Sequence, residues 1–597
     1  MLVLVALVVA SSNLAAQSSD RTLPRDTVLA RVRMHVLALA SDSMAGRRPP
    51  TPGNAMAASY IARAFDRFGL VPLHRGERSI ERFYESFNYL HGLERGRKNS
   101  LTVAGARVRD IDFVPLGFSD NASVSGPLVF AGYGITDSAS NYDDYLGLDA
   151  KGAIAIIMRY SPEGEAAHGR FAEAMSWSVK VRNAIAHGVK GIIFLDPSDS
   201  SSQLPSLELN RGFMNTGLPS VFVRDKAITA GASTIRHPSG RDLYDLRRLI
   251  DSTRKPASFR IVGATASITT DVKRLEASVP NVIGLLPGVD AELRDEVIVI
   301  GAHFDHLGSG GEGSLHGDHA PAIHYGADDN ASGTAGLLLL AEQFAREHNN
   351  RRTIMFAAFN AEEEGLLGSQ AFVRNVALPD GLTMISMINL DMIGRLDSNK
   401  LQVHGTGTSP GFERMLDSLN PGMSLKYSKE GVGPSDHSSF YSKNIPVLAF
   451  FTGIHKDYHK PGDTWDKVNF DGATSIAGFV GDVVRSIDRA DTAPMFTKAD
   501  PAVTARRTSG FKVYVGTLPD YGYEGKGMRI TGVSGGSPAE VAGLKDGDVI
   551  VKMGDYAIGN IYDYMDALSH FKFKQEVPTE VVRGAVPLVV TIVMGTR

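Results

Sequence analysis

Between residues 273 and 487, short apolar segments alternate with longer segments that carry apolar residues at helical spacing. Runs of about four to eight apolar residues indicate buried strands, and apolar positions that recur about every three to four residues indicate helices. The predicted strands are 296–302, 353–359, 384–390 and 446–451, and the predicted helices are 331–347, 365–375 and 471–488. This alternation predicts an α/β domain with a mixed, mostly parallel sheet and helices on both of its faces.

Histidine and acidic residues follow these strands closely. In chain order they are His303 in GAHFDH, Asp329 in GADDNASG, Glu362 and Glu363 in NAEEEGLLGS, Asp391 in NLDMIG and His459 in DYHKPGDT. In open α/β sheets, ligands collect beyond the carboxyl ends of the strands. One such residue alone is usually structural, and the glutamate run alone can be the acidic start of a helix. Together, at successive strand and loop ends, these residues predict a metal site.

The residue types suit a metal-dependent hydrolase. The chain contains no cysteine, so imidazole and carboxylate groups are the zinc ligands that remain. A carboxylate has two oxygens and can bridge two metal ions, which would activate a water molecule at neutral pH. A carboxylate that binds no metal must then take the proton of that water, and the adjacent Glu362 and Glu363 can supply one base and one ligand. Asp305, two residues after His303, can orient its imidazole by accepting the second N–H.

These ordered motifs resemble those of the co-catalytic zinc aminopeptidase family, which includes secreted bacterial aminopeptidases and relatives of glutamate carboxypeptidase. The resemblance covers about residues 275–490 and extends to Gly46-Arg47 and the helix predicted over 53–68. It implies the zinc-peptidase fold and two zinc ions as cofactors. The ligands that it implies are His303 and Asp391 for one zinc ion, Glu363 and His459 for the other, and Asp329, the second aspartate of its motif, as the bridge.

The resemblance also implies catalytic roles for three residues. Glu362 would be the general base, Asp305 the partner of the His303 imidazole, and Tyr458 a hydrogen-bond donor to the tetrahedral intermediate. The glutamate run, which continues to Glu364, is one residue longer than the pair found in the family. Aligned with Ala361 before it and GLLGS after it, the run makes its first glutamate the base and its second the ligand. In the other register, the second glutamate is the base and the third is the ligand.

Two further segments are expected near the site. Residues 309–324 either reach the metals or form a solvated rim, and their titratable side chains include His316, Asp318, His319 and His324. Residues 431–440 (GVGPSDHSSF) resemble a loop of the family that lines the substrate pocket. In this loop, Asp436 and His437 either approach the metals or make structural hydrogen bonds.

A β-rich segment interrupts the predicted peptidase domain. Residues 110–270 resemble an inserted protease-associated domain in the segments AGYGI, NYDDYLGLDAKGAIAIIMR and KVRNAIAHGVKGIIFL. Such inserts typically cover the active-site cleft, although an inert β-rich domain fits the residue pattern equally well. The peptidase domain is therefore expected in two parts, 21–109 and 271–490, followed by a polar linker at 491–508.

The last part of the chain, 509–597, resembles a PDZ-like β domain, most specifically in SPAEVAGLKDGDVIVKMGD. Gly525, Lys526, Gly527 and Met528 resemble its carboxylate-binding loop and the start of the following strand. Backbone N–H groups in such a loop can hold a peptide carboxyl end while the peptide adds a strand to the sheet. The alternative is a domain that packs on the peptidase and binds nothing.

The amino-terminal run MLVLVALVVA is followed by small residues, and residues 1–17 are expected to be a signal peptide. Export to the periplasm or the exterior of a bacterium-like cell is therefore expected, with a buried strand as the alternative. Other apolar runs fall short of the roughly 20 residues that cross a bilayer, so no membrane span is expected in the mature protein. The formal net charge of −4 gives no reason to expect nucleic acid as a partner.

These features predict a zinc-dependent exopeptidase, specifically an aminopeptidase that acts on the amino termini of peptides or proteins. A carboxypeptidase of the same fold is the first alternative. A one-zinc cyclase is disfavoured because every position of a two-metal site is present, and a β-lactamase-type hydrolase would need histidine in place of Gly301. A non-catalytic peptide-binding or receptor-like protein on a peptidase scaffold is disfavoured because Glu362 and all the ligands are present.

Overall fold

The computed structural model describes most of the chain after residue 22. The described residues are 23–595 except 74–78, 138–139, 165–169, 172–173, 198–202, 208, 210–215, 230–236, 312, 317–320, 376–377, 380, 500–512, 520–525, 534–536, 546, 560–562, 565–566, 569–570 and 585. Several sequence predictions therefore lie outside the described residues, namely the signal peptide at 1–17, the second half of the linker, Asp318, His319 and Gly525.

The helices and strands are numbered in chain order. The helices are α1 (Arg25–Leu39), α2 (Pro52–Phe68), α3 (Trp177–Ala186), α4 (Asp225–Thr229), α5 (Leu243–Thr253), α6 (Gly333–Glu347), α7 (Leu367–Asn375), α8 (Phe412–Leu419), α9 (His437–Tyr441), α10 (Phe470–Arg489) and α11 (Pro538–Val541). The first strands, up to the return from the insert, are β1 (Val71–Pro72), β2 (Tyr84–Arg95), β3 (Ser100–Val103), β4 (Ala106–Arg107), β5 (Phe113–Pro115), β6 (Ser123–Phe130), β7 (Thr136–Asp137), β8 (Tyr142–Asp143), β9 (Ile154–Met158), β10 (Gly191–Leu195), β11 (Ser220–Val223), β12 (Phe259–Thr269) and β13 (Val272–Leu286). The remaining strands are β14 (Glu296–His303), β15 (Thr353–Phe359), β16 (Thr383–Leu390), β17 (Lys400–His404), β18 (Ser424–Ser428), β19 (Val447–Phe451), β20 (Thr517–Pro519), β21 (Met528–Val533), β22 (Asp548–Met553), β23 (Tyr556–Ala557), β24 (Glu576–Arg583) and β25 (Val586–Val593).

A mixed sheet forms the centre of the α/β domain. Its strand order is β1-β13-β15-β14-β16-β19-β17-β18, and β2 pairs with the long strand β13. The four central strands β15, β14, β16 and β19 run parallel to one another, so their carboxyl ends lie at the same edge of the sheet. The strands and helices predicted between 296 and 488 are all present, with ends that differ by at most a few residues.

Helices cover both faces of this sheet. Successive side chains of a strand point to opposite faces. Ile298 and Ile300 accordingly belong to one core, shared with α1, α2, α6 and α10, whereas Val297 and Val299 belong to a second core, shared with α7 and α9. The predicted fold class, a mixed sheet with helices on both faces, is confirmed.

The helix predicted over 53–68 is also present, as α2. The Thr51 hydroxyl accepts a hydrogen bond from the Asn54 N–H at 3.4 Å, which caps the first turn. Pro52 occupies the first turn, where its missing N–H costs nothing. Gly69 ends the helix in the left-handed conformation with φ of 80°.

The insert forms its own sheet, with the order β4-β3-β12-β6-β9-β10-β11-β5. Strand β9 carries alternate residues to two cores, Ile154 and Ile156 to one and Ala155 and Ile157 to the other. The sheet begins with β3 at Ser100, ahead of the expected start at 110, because β3 pairs with the last strand of the insert, β12. The paired strands β2 and β13 carry the chain into the insert and back.

The carboxyl-terminal region is β-rich, with the strand order β20-β21-β22-β24-β25 around a separate core. The first part of the expected linker, 491–499, packs on the α/β domain. The Phe496 ring lies 5.5 Å from the Tyr441 ring, and the Thr497 N–H donates to the Thr408 carbonyl at 2.8 Å. Among the helices that the structure describes, none is long and apolar enough to span a membrane.

Candidate metal centre and active site

The carboxyl ends of β14, β15 and β16 bring three predicted site residues together. His303 ends β14, Glu362 follows β15 and Asp391 follows β16. The His303 Nε2 atom lies 3.4 Å from Asp391 Oδ1 and 3.9 Å from Glu362 Oε2. His303 is buried, and the two carboxylates are partly exposed, so they face the cleft beyond the sheet edge.

A second group of predicted residues lies beside the first. The His459 Nε2 atom is 3.0 Å from Glu363 Oε2. Asp329 lies between the two groups: its Oδ1 is 3.3 Å from His303 Nε2 and its Oδ2 is 3.4 Å from His459 Nε2. Each oxygen of this one carboxylate therefore faces a different histidine.

The donor set fits divalent cations. Ligand atoms of His303, Asp329 and Asp391 lie within 4.8 Å of one another, and so do those of His306, Asp329 and Glu363. Asp391 Oδ1 is buried without a hydrogen-bond partner in the described part of the chain. Several carboxylates held this close inside a protein repel one another unless cations compensate them. Imidazole nitrogens and carboxylate oxygens are ligands that suit zinc.

Asp328 and Asp329 have different surroundings although they are adjacent. The Oδ1 atom of Asp328 accepts hydrogen bonds from the Gly394 N–H at 2.6 Å and the Ser332 hydroxyl at 2.9 Å. These bonds turn Asp328 towards the loop after β16 and leave Asp329 to face the two histidines. The second aspartate of the motif is thus the one that joins the cluster.

The glutamate run separates in a similar way. Glu363 faces His459, whereas the Glu364 carboxylate pairs with the Arg48 guanidinium at 2.9 Å. Glu362 faces His303 from the side of the cavity. Burial, together with the Glu363, Asp436 and Asp391 carboxylates, raises the pKa of Glu362 well above its usual range.

Asp305 lies behind His303 and anchors the backbone of the glutamate run. Its Oδ1 accepts a hydrogen bond from the Glu362 N–H at 3.0 Å, and its Oδ2 accepts one from the Glu363 N–H at 3.3 Å. The same Oδ1 lies 3.7 Å from His303 Nδ1, which is longer than a hydrogen bond. Asp305 therefore holds two cluster residues by their backbone and faces the third.

The segment 309–324, called the rim segment below, fixes the orientation of His459 through the Gly313 carbonyl. The His459 Nδ1 atom lies 2.8 Å from the Gly313 carbonyl, which can accept only if Nδ1 carries the proton. In that tautomer Nε2, the atom that faces Asp329 and Glu363, has a free lone pair.

His316 and His324 of the same segment face each other, with ring centroids 6.4 Å apart. Tyr458 stacks on the His459 ring at 3.8 Å and lines the cavity in front of the cluster.

Three residues of the cluster's surroundings had no predicted role. His306 Nδ1 lies 2.5 Å from Glu363 Oε1. Asp463 Oδ2 accepts hydrogen bonds from the Asp328 N–H at 2.9 Å and the Asp329 N–H at 3.0 Å. His306 lies in the motif GAHFDH and Asp463 in the motif DYHKPGDT, so the sequence signal for each residue was its place in a motif.

The third is Arg47, whose buried guanidinium joins the amino-terminal part of the domain to the loops of the cluster. It donates hydrogen bonds to four carbonyls, of Phe304 at 2.7 Å, Leu39 at 2.7 Å, Tyr325 at 2.8 Å and Gly326 at 3.0 Å. Gly46 precedes it with φ of 72°, and a Cβ there would lie 2.6 Å from the Gly308 carbonyl. The Gly-Arg pair noted in the sequence thus fixes the loops that carry His303 and Asp329.

Asp436 and His437 lie buried beside the cluster. Burial raises the pKa of Asp436 to about 7, with the Asp305 and Asp391 carboxylates acting in the same direction. Burial lowers the pKa of His437 to about 3, and both ring nitrogens lack a hydrogen-bond partner among the described residues. His437 also lines the cavity in front of the cluster.

The segment expected to hold a peptide carboxyl end has other contacts. The Gly527 N–H donates to the Gly559 carbonyl at 3.0 Å, and Met528 packs in the carboxyl-terminal core. Burial and the nearby Arg182 guanidinium of the insert lower the pKa of Lys526 to about 8. Strand β21 also has neighbours on both sides, β20 and β22.

Comparison with protein families identifies matches for the α/β domain and for the insert. Residues 281–484 match the model of Peptidase family M28, and residues 124–230 match the model of the PA domain. The first match contains every residue of the cluster described above, and the second lies within the sheet of the insert. The sequence analysis predicted both kinds of domain, a metallopeptidase domain and an inserted protease-associated domain.

Individual relatives can be named within this class. Leucine aminopeptidase 2 of Trichophyton rubrum is 26% identical over an alignment 254 positions long, which covers 37% of this chain and 48% of that protein. Leucine aminopeptidase 2 of Trichophyton equinum is 27% identical over an alignment 248 positions long, which covers 36% of this chain and 46% of that protein. The chain thus spans about half the length of the curated relatives it matches.

The solved structures that this chain matches include two aminopeptidases. An aminopeptidase from Aneurinibacillus sp. strain AM-1 has 23% identity, with 79% of this chain and 95% of that chain covered and a TM-score of 0.42. BSAP, a zinc aminopeptidase from Bacillus subtilis, has 20% identity, with 79% and 98% covered and a TM-score of 0.41.

Proposed function

We propose that this protein is a zinc-dependent exopeptidase that removes residues from the amino termini of peptides. The observation that carries the proposal is the position of Asp329, whose two carboxylate oxygens each face one histidine of a buried cluster. A carboxylate placed to hold two cations, beside a glutamate that can be protonated, would suit hydrolysis assisted by two metal ions. The match to Peptidase family M28 supports a peptidase, and the leucine aminopeptidases among the relatives support the amino-terminal direction of cleavage.

Two zinc ions are the proposed cofactors. The proposed ligands are His303 and Asp391 for one ion, Glu363 and His459 for the other, and Asp329 for both. When bound, the ions would supply Lewis acidity to the scissile carbonyl and to a water molecule in the cleft. Asp305, by holding the Glu362 and Glu363 N–H groups, keeps the base and one ligand at fixed positions.

Glu362 is the proposed general base. It takes a proton from the attacking water and passes it to the leaving amine, which requires a carboxyl group that is readily protonated and deprotonated near neutral pH. Its raised pKa and its place at the cavity wall suit that role. Tyr458, beside His459 in the same cavity, is the proposed donor to the oxyanion of the tetrahedral intermediate.

Substitution of two neighbouring glutamates tests this assignment. Glu362→Gln should lower kcat on an aminoacyl-nitroanilide by at least about a thousandfold, because it removes proton transfer while the zinc content stays at the wild-type level. Glu364→Gln is the matched control and should keep both activity and zinc, since Glu364 pairs with Arg48. Loss of zinc in the Glu364 variant would mean that the other register of the run is correct.

The direction of cleavage needs a separate substrate comparison. A peptide with a free amino terminus, its acetylated form and its form with an amidated carboxyl end should be offered to the enzyme. We expect the acetylated peptide to resist hydrolysis and the amidated peptide to be cleaved from its first residue. The reverse pattern would identify a carboxypeptidase of the same fold.

Export and peptide binding by the carboxyl-terminal domain are further proposals about the whole protein. Export is supported by the apolar run at 1–10 and is tested by the amino-terminal sequence of the protein recovered from outside the cytoplasm. The assignment of 509–597 as a PDZ-like domain that binds peptide carboxyl ends stays a prediction. Because the Gly527 N–H already has an acceptor, binding would require this loop to rearrange. Calorimetric titration with a peptide and its amidated form tests the prediction.

A further inference from the structure

A cavity of about 510 Å³ opens from the cluster of candidate metal ligands towards the carboxyl-terminal domain. Its inner end is formed by cluster residues, among them Asp329, Glu362 and Asp391. A volume of this size lies within the usual range for sites that bind small molecules or short segments of a peptide. The side chain of the substrate residue next to the scissile bond must therefore be accommodated in this cavity.

The carboxyl-terminal domain supplies the wall opposite the cluster. Tyr514, Thr517, Tyr564 and Leu568 line the cavity from this side. Tyr564 and Leu568 are 5% and 8% exposed and belong to the core of their own domain, so their positions are fixed by packing. The Tyr564 hydroxyl is also within 2.7 Å of the Thr517 hydroxyl, which holds its ring at the wall.

Apolar side chains of the α/β domain complete the cavity between the cluster and this wall. They include Val432, Tyr441, Phe450, Phe451 and Ile454. An apolar side chain placed among these groups leaves water, and the favourable free energy of this transfer grows with the apolar surface buried. A small side chain such as alanine gains much less. The lining therefore favours a large apolar residue.

Contacts on two sides accompany this position of the carboxyl-terminal domain. On the α/β side, in the segment 491–499 ahead of the domain, the Phe496 ring packs at a tilt against the Tyr441 ring, with centroids 5.5 Å apart, and the Ala499 N–H donates to the Tyr441 hydroxyl at 3.2 Å. Tyr441 and Ala499 themselves line the cavity, so the attachment and the cavity share residues. On the insert side, the half-buried Lys526 lies near Arg182.

We propose that the carboxyl-terminal domain is a structural part of the substrate pocket, and that Tyr514, Tyr564 and Leu568 select peptides whose first residue has a large apolar side chain. This inference rests on the proposed aminopeptidase function. It gives the domain a role in specificity that does not depend on binding a peptide carboxyl end. It also ties selection of the substrate to a domain that contributes no ligand to the cluster.

The test uses the full-length, zinc-loaded protein and the p-nitroanilides of alanine, leucine and phenylalanine. The variants are Leu568→Ala and Tyr514→Ala, the second of which changes a side chain outside the domain core. Leu544→Ala is the matched control, because Leu544 is also buried in the same core, at 3% exposure against 8% for Leu568, but does not line the cavity. Calorimetric unfolding of each variant verifies that the domain remains folded.

We expect the wild type to prefer leucine and phenylalanine over alanine. Each wall variant should lower kcat/KM for the large substrates by about tenfold, with little change for alanine, because the loss of one apolar contact in a pocket has an effect of this order. Leu544→Ala should keep the wild-type ratio. The inference is overturned if both wall variants keep the wild-type ratio of kcat/KM for the large substrates to kcat/KM for alanine, or if the wild type prefers alanine. In either case, turnover of the substrates would still support the proposed function. Absence of turnover on every substrate overturns the proposed function and the inference with it.

Discussion

His306 Nδ1 lies 2.5 Å from the Oε1 atom of Glu363. The other oxygen of this carboxylate faces His459 Nε2 at 3.0 Å. His306 thus holds Glu363 in the orientation in which it presents an oxygen to the cluster. Groups that orient a metal ligand in this way contribute strongly to metal affinity although they need not touch the metal.

Replacement of His306 by alanine should weaken zinc binding by roughly 10- to 100-fold at the position of Glu363 and His459. The measurement is a competition titration with a chelator of known zinc affinity. His316→Ala is the control, because His316 faces His324 in the rim segment. An unchanged affinity in the His306 variant would show that the contact does not support the site, and complete loss of one zinc ion would show that His306 is itself a ligand.

Replacement of Asp463 by alanine should destabilise the α/β domain by about 3–5 kcal/mol, because it breaks a buried ion pair and leaves its partners unsatisfied. Its carboxylate accepts hydrogen bonds from the Asp328 and Asp329 N–H groups and from Arg395 at 2.8 Å. Calorimetric unfolding of the zinc-free protein measures the effect. Asp466→Ala, at an exposed neighbour, serves as the control, and equal unfolding temperatures of the two variants would contradict the prediction.

Stability should fall as the pH decreases from about 6.5 to about 4, in part because of His35. Burial, with the nearby Arg31 and Arg67 guanidinium groups, lowers the pKa of His35 to about 4 in the folded protein. The unfolded chain, with a histidine pKa near 6.5, binds the proton first, so acid favours unfolding within this window. The full effect is on the order of 3 kcal/mol.

The His35→Gln variant should lose this part of the pH dependence. The measurement is the unfolding temperature at several pH values between 4 and 7, compared with the wild type. His91→Gln is the control, because His91 is exposed on strand β2. The same steepness in the wild type and the His35 variant would mean that His35 does not contribute to the loss of stability in acid.

The α/β domain and most of the cluster were predictable from local sequence. The strand 296–302 is a continuous apolar run, and such a run leaves few alternatives to a buried strand. His303 at its end, and Asp391 at the end of β16, then follow from the rule that ligands collect at one edge of a parallel sheet. Helix α2 was predictable for a similar reason, since Thr51, Pro52 and Gly69 mark its two ends.

Other features depend on contacts that sequence spacing does not reveal. His306 and Asp463 are a histidine and an aspartate among many, and their contacts form only when loops from distant parts of the chain meet. Helix α1 was not predicted, although its buried residues Val28, Val32 and Val36 repeat every four positions, because polar and apolar residues are mixed along it. The contact of Phe496 with Tyr441 likewise joins a polar segment to a helix about 55 residues earlier, which no local pattern indicates.

We propose that Asp329 holds two zinc ions in one site, and the zinc content per chain tests this proposal most directly. Purified protein should be loaded with zinc, dialysed against metal-free buffer and measured by inductively coupled plasma mass spectrometry. The wild type should retain two zinc ions per chain, and Asp329→Ala should retain fewer than one. A fully active wild type with a single zinc ion, or an Asp329 variant that keeps both, would contradict the claim.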